Sequence, residues 1–248
     1  WKRGHREVHR RVQPGVVGCD PKADSTRGLM GRRIPTVLDQ LKTGASGEIA
    51  FTDSRGVRCI EAGGPEPGTG CAGRGIIVAM EIRSRGLLDD RDVVLYDVLG
   101  DVVCGGFRHA AAGAGGRRVY LVTTSDFMAL YAANNICRGI RKYAQSGGIR
   151  LTGIIHNGRS SVDNDACSAF ATELGTTVAG KIPMSPLIGQ AELERRTVVD
   201  SAPDSAPARA FRALASVLLD NRGSCIPEPM TDDRLEALCR KAGRFDSG

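Results

Sequence analysis

Apolar residues fall into short continuous runs, separated by longer stretches in which they return every three or four positions. GVVGC (15–19), VRCIEAGG (57–64), VVLY (93–96), VYLVTT (119–124), LTGIIH (151–156) and TTVAGKI (176–182) have the run pattern and predict strands. Between them, helical spacing predicts helices over 34–42, 73–86, 126–143, 163–174, 207–222 and 232–243. Pro35 is placed in the first turn of its helix, where a missing N–H costs little. Ser125 is placed to cap the helix that follows it. The strands are apolar throughout rather than alternating, as in a parallel sheet covered on both faces. The expected fold class is therefore α/β, a predominantly parallel β-sheet with helices on both faces. No linker divides the chain, so one domain over residues 1–248 is expected.

In such sheets ligands sit beyond the carboxyl ends of the strands, and Asp20, Gly63, Asp97 and Asn157 each follow a predicted strand. CDPKADST (19–26) sets Asp20 and Asp24 on either side of Lys22, a pattern that suits magnesium and phosphate. A solvated turn is the plainer reading of the same residues. EAGGPEPGTGCAGRG (61–75) surrounds Cys71 with glycine, whose freed amides can converge on an anion or on cluster sulfur. DVVLYDVLGDVVCGGF (92–107) joins a strand ending on Asp97 to a second acid, Asp101, and then to Cys104 on a glycine turn. Cys71 and Cys104 thus share a setting. Two thiols are half of what a cubane cluster needs, and a two-fold homodimer supplies four.

Composition narrows the field. Hydrophobic residues make up 41% of the chain, enough for a core, and the 32 glycines exceed the usual share of about 7%. The net charge of +6 arises in two segments: 1–14, with five Lys or Arg against one Glu, and 108–118, with three Arg and no acid. The remainder is close to neutral and lacks a basic stripe with interleaved aromatics, which argues against a nucleic-acid partner. No apolar run approaches a membrane span and no secretory signal is visible, so a cytoplasmic protein without a membrane partner is expected. Eight cysteines without CxxC pairs do not read as a disulfide framework; those away from glycine turns read as small core residues.

CDPKADST, CIEAGGPEPGTGCAGRG, YDVLGDVVCGGF and YAANNI, in this order, resemble the nitrogenase iron protein (dinitrogenase reductase) family, over residues 15–107 and 119 to about 222. The resemblance implies a P-loop NTPase of the deviant Walker-A type, acting as a homodimer. It bridges one [4Fe–4S] cluster and uses MgATP to pass single electrons from a ferredoxin or flavodoxin to the nitrogenase catalytic component. It further implies Cys71 and Cys104 as cluster ligands, and Asp20, Lys22 and Asp24 as a first switch near magnesium and phosphate. Asp97 and Asp101 form a second switch, with Asp101 placed to act on the attacking water. Asn157 and Pro183 contact the base, and Arg74 is a candidate for ADP-ribosylation. Met184 stands where the family usually has arginine.

Two segments depart from the family pattern. No GKGGxGKST-type loop occurs in the 248 residues, so weak ATP binding is expected of this chain. Segments 1–14 and 108–118 are atypical and read as frame-shifted stretches of a GC-rich gene. The alternatives are a related reductase serving tetrapyrrole or reductive sulfur metabolism, a cluster-free partitioning-type ATPase, and a non-functional fragment.

Overall fold

Strand β1 (Pro14–Gly18) lies between two parallel partners, β3 (Arg58–Glu61) and β4 (Val93–Asp97). The structure is a computed structural model and describes residues 12–44, 47–64, 78, 81–82, 85–99, 118–159, 165–221 and 223–243. A short strand β2 (Phe51–Thr52) adds antiparallel to β3, giving the order β2-β3-β1-β4. Strands β5 (Arg118–Thr123), β6 (Arg150–Asn157) and β7 (Val178–Ile182) form a second, wholly parallel sheet in that order. The expected α/β class is the observed one.

Helices α1 (Arg27–Met30) and α2 (Val37–Thr43) follow β1. Helices α3 (Phe127–Gly147) and α4 (Ala166–Glu173) flank β6 in sequence. Helices α5 (Pro186–Leu193), α6 (Val198–Ser201), α7 (Ala206–Asp220) and α8 (Asp232–Gly243) follow β7. The helix expected over 73–86 falls mostly outside the described residues.

The pleat sends alternate β5 and β6 residues to opposite faces. Val119, Leu121 and Ile154 join Leu130, Ile140, Phe170 and Leu235 in one core, while Tyr120 and Ile155 pack with Ile188 and Leu214 in another. Both faces are covered, which is why β6 is apolar nearly throughout. Asn134 of the YAANNI motif is fully buried. Its side-chain amide donates to the Met230 carbonyl at 2.9 Å and its oxygen accepts from the Met230 N–H at 3.0 Å, fixing the lead-in to α8 on α3. Phe170 is among the largest fully buried side chains. Phe170→Ala is expected to lower stability by about 3–5 kcal/mol, read as a shift of the urea midpoint at unchanged slope.

Three expectations are corrected. Pro35 precedes α2 instead of lying in its first turn: Thr36 is the N-cap, its hydroxyl accepting from the Asp39 N–H at 3.0 Å. Ser125 does not cap α3; Asp126 holds that position, and the Ser125 hydroxyl is engaged elsewhere. Strand β4 is not fully buried, with Leu95 50% exposed. The reason is its place. Strand β4 pairs only with β1, and β5 only with β6, so among the described residues each has an unpaired edge. Val122 on β5 is 66% exposed.

Candidate functional site

The carboxyl ends of β1, β3 and β4 carry the first group of candidate residues. Gly18 is in register with Glu61 on one side and Asp97 on the other. The Cys19 N–H donates to the Asp97 carbonyl at 3.0 Å, and the Ala62 N–H to the Gly18 carbonyl at 2.8 Å, so all three strands end at one level. From there Asp20 turns the chain. Its Oδ1 accepts from the Lys22 N–H at 2.8 Å, and its carbonyl accepts from the Ala23 N–H at 3.0 Å. Ala23 is buried with φ of 51°, a left-handed conformation that costs a residue with a Cβ roughly 1–2 kcal/mol. Asp20 thus shapes the loop as a turn residue, and Lys22 and Asp24 project from it into solvent. Asp97 is likewise exposed. Among the described residues no three His, Cys, Asp or Glu side chains gather closely enough to hold a metal ion.

Sequence reading passed over Glu61, although it stands at the end of an apolar strand as Asp97 does. Its side chain is fully buried. Oε1 accepts from both the N–H and the hydroxyl of Thr26, each at 2.7 Å, whereas Oε2 has no partner. Burial pushes the Glu61 carboxyl above the usual range; the Thr26 bonds oppose this, and the charges of Asp24 and Asp97 add to it. The sheet makes room for this side chain at Gly18, where a Cβ would lie 2.0 Å from Oε2.

A second group lies at the ends of β5, β6 and β7. Asn157 is exposed and in register with Ile182, and the Gly158 N–H donates to the Ile182 carbonyl at 2.8 Å, which sets Asn157 beside Pro183. A Cβ on Gly158 would stand 3.0 Å from that carbonyl oxygen, a tight contact that favours glycine there. Met184 projects outward, 66% exposed. His156 was also missed. It is buried, and its Nε2 lies 3.0 Å from the Ser125 hydroxyl.

Burial, and then the nearby Lys181 charge, hold the His156 pKa below its ordinary 6.5. The imidazole is therefore neutral in the folded protein near pH 7, while the unfolded chain takes up a proton below about pH 6.5. Its contribution to stability is present above that pH and is lost as pH falls. Lowering the pH from about 7.5 to about 5 is expected to depress the melting temperature. His156→Gln should flatten that dependence, as thermal melts across the range would show.

Cys71, Arg74, Asp101 and Cys104 lie outside the described residues. The other six cysteines are free thiols in the packing. Burial pushes Cys19, Cys59 and Cys137 up to about 12 and Cys167 up to about 11, and it raises Cys225 and Cys239 as well. Such thiols are poor ligands, because metals bind the thiolate. No helix among the described residues is long and apolar enough to cross a membrane.

A family model for 4Fe-4S iron sulfur cluster binding proteins, the NifH/frxC family, matches residues 6–244. The nitrogenase iron protein of Methanococcus voltae is 48% identical over 232 residues, 90% of this chain and 84% of the relative. Nitrogenase iron protein 2 of Methanothermobacter thermautotrophicus is also 48% identical over 232 residues, 91% of this chain and 86% of its own. Among solved structures, the septum site-determining protein MinD of Pyrococcus horikoshii, complexed with Mg-ADP, aligns with a TM-score of 0.59 at 19% identity, covering 85% of each chain. A ParA family ATPase from Chlorobium tepidum aligns with a TM-score of 0.59 at 16% identity, covering 84% of this chain and 86% of its own. At these identities the two structures establish the α/β fold alone.

Proposed function

Because the chain belongs to the NifH/frxC family of 4Fe-4S cluster-binding proteins, we propose that it is an ATP-dependent carrier of single electrons, of the nitrogenase iron protein type. In this reading it accepts electrons from a ferredoxin or flavodoxin and delivers them to the nitrogenase catalytic component. One observation carries the reading. Strands β3 and β4 flank β1, and their ends at Glu61 and Asp97 lead into the two cysteine-bearing segments. Cys71 lies ten residues past Glu61, and Cys104 lies seven past Asp97. With β1 between them, the two departure points are about two strand spacings apart, roughly 10 Å. Both segments can then reach one point on a dimer axis.

The donor chemistry fits a cluster. Two thiols per chain lie on glycine-rich segments, and the other six are held protonated in the packing. Cys71 and Cys104 of each chain would hold the cluster, which supplies storage of one electron. Asp97 and Asp101 would form the acidic switch on the magnesium side, with Asp101 orienting water. Asp20, Lys22 and Asp24 would face the phosphates, Asn157 and Pro183 the base. Arg74, beside Cys71, would lie at the face that meets the catalytic component.

The test is anaerobic purification followed by dithionite reduction. The expected result is a brown dimer with an EPR signal from a reduced cluster. Supplied with MgATP and a catalytic component from a related system, a version carrying the phosphate loop should support electron transfer. A colourless, EPR-silent protein after iron and sulfide reconstitution would refute the proposal.

A further inference from the structure

We infer that Glu61 is a positioning residue that joins the Asp20–Asp24 loop mechanically to the segment carrying Cys71. The inference rests on the reading of Cys71 as a cluster ligand and assigns a residue to carry movement between the two segments.

Two contacts make the joint. At the first, Oε1 of Glu61 takes both the backbone N–H and the hydroxyl of Thr26, each at 2.7 Å, with Glu61 fully buried and Thr26 1% exposed. These bonds replace the usual capping at the start of α1, where Thr26 is the N-cap residue but its side chain makes no cap bond. At the second, Gly64 lies against Pro21 so closely that a Cβ would meet the proline Cγ at 2.4 Å. The chain between these contacts is held along its length. The Ala62 N–H donates to the Gly18 carbonyl at 2.8 Å, the Leu38 N–H donates to the Ala62 carbonyl at 3.2 Å, and Glu61 bridges Thr36. Gly63 adopts a φ of 75°, with the Thr36 side chain 2.7 Å from where a Cβ would stand. A shift of residues 20–26 must therefore either break the Thr26 bonds or draw residues 61–64 along, and residue 65 onward leads to Cys71.

Packing alone does not account for a carboxyl here. Oε2 of Glu61 and Oγ of Ser25 are both buried without partners, and both crowd the space beside Gly18. Unpartnered buried oxygens are costly, and an apolar side chain of similar volume would avoid that cost. What glutamate adds is a single acceptor that takes two donors from the neighbouring loop.

Amide hydrogen exchange in the full chain tests the joint. Glu61→Leu removes the acceptor, and Thr26→Val removes the hydroxyl donor while keeping the volume. Each is expected to speed exchange about tenfold in the peptide spanning 62–75 and to leave β6 and α4 unchanged. Glu61→Gln retains Oε1 and should restore the wild-type rates. In iron-loaded protein, Glu61→Leu should alter the reduced EPR line shape and Glu61→Gln should not. Unchanged exchange in 62–75 in both Glu61→Leu and Thr26→Val, or an equal rise throughout the chain, would overturn the inference. If Glu61→Leu does not fold, Thr26→Val decides alone. A protein that holds no iron removes the electron-carrier reading but leaves the exchange result to judge the joint.

Discussion

Alanine at Cys71 is expected to strip the protein of iron and leave it monomeric, and alanine at Cys104 is expected to do the same. A cubane cluster takes four thiolates, and one chain has two cysteines in glycine-rich segments, Cys71 and Cys104. The cluster is then the bolt of a two-fold dimer, and losing one thiol per chain removes two of its four bonds to protein. The other cysteines are poor substitutes, because burial raises the thiol pKa of each, most in Cys19, Cys59 and Cys137, and metals bind the thiolate. Cys167→Ala serves as the control: it removes a buried thiol, at a cost of about 1 kcal/mol, and should keep both iron and dimer. Iron analysis and size-exclusion chromatography under anaerobic conditions report the outcome. Full iron content in Cys71→Ala or Cys104→Ala would contradict the account.

The second large effect concerns nucleotide. The 248-residue chain is expected to bind MgATP at least a hundredfold more weakly than a version joined at its amino end to a strand and a GKGGxGKST-type loop. That loop provides converging backbone N–H groups, a lysine for phosphate and a hydroxyl for magnesium. Among the described residues the edges of β4 and β5 are unpaired, so each offers a place for a further strand. A strand seated on either edge would satisfy backbone groups there and cover apolar surface of the kind Leu95 and Val122 present, 50% and 66% exposed. The gain should be several kcal/mol, raising the melting temperature by about 5–10 °C. Calorimetric titration and thermal melts read both numbers. Tight MgATP binding by the 248-residue chain, or equal melting temperatures, would count against this view.

What the sequence made legible was set by local rules. Strand β6 is buried on both faces, and its apolar run announced this directly. The CDPKADST loop follows β1 as expected, because the change from a buried run to Asp-Pro leaves few alternatives. Asn157 and Pro183 stand at neighbouring strand ends, since parallel pairing of β6 with β7 puts Asn157 in register with Ile182.

The misses depended on neighbours that sequence does not reveal. VVLY reads as a buried strand, yet exposure of Leu95 is decided by what lies beyond the edge of β4. Ser125 has the composition of a cap, but the adjacent strand presents His156 to it first. Glu61 draws no separate reading from the sequence, and only the fold shows it turned inward toward Thr26. Its one advance signal was Gly18, whose missing side chain makes the space.

Native mass spectrometry of the anaerobically reconstituted protein is the most direct test of the central claim. The account predicts one species of two chains with a single four-iron, four-sulfide cluster, converting to bare monomers when the metal is chelated. A cluster carried by one chain alone, or a dimer that persists unchanged without iron, would contradict it.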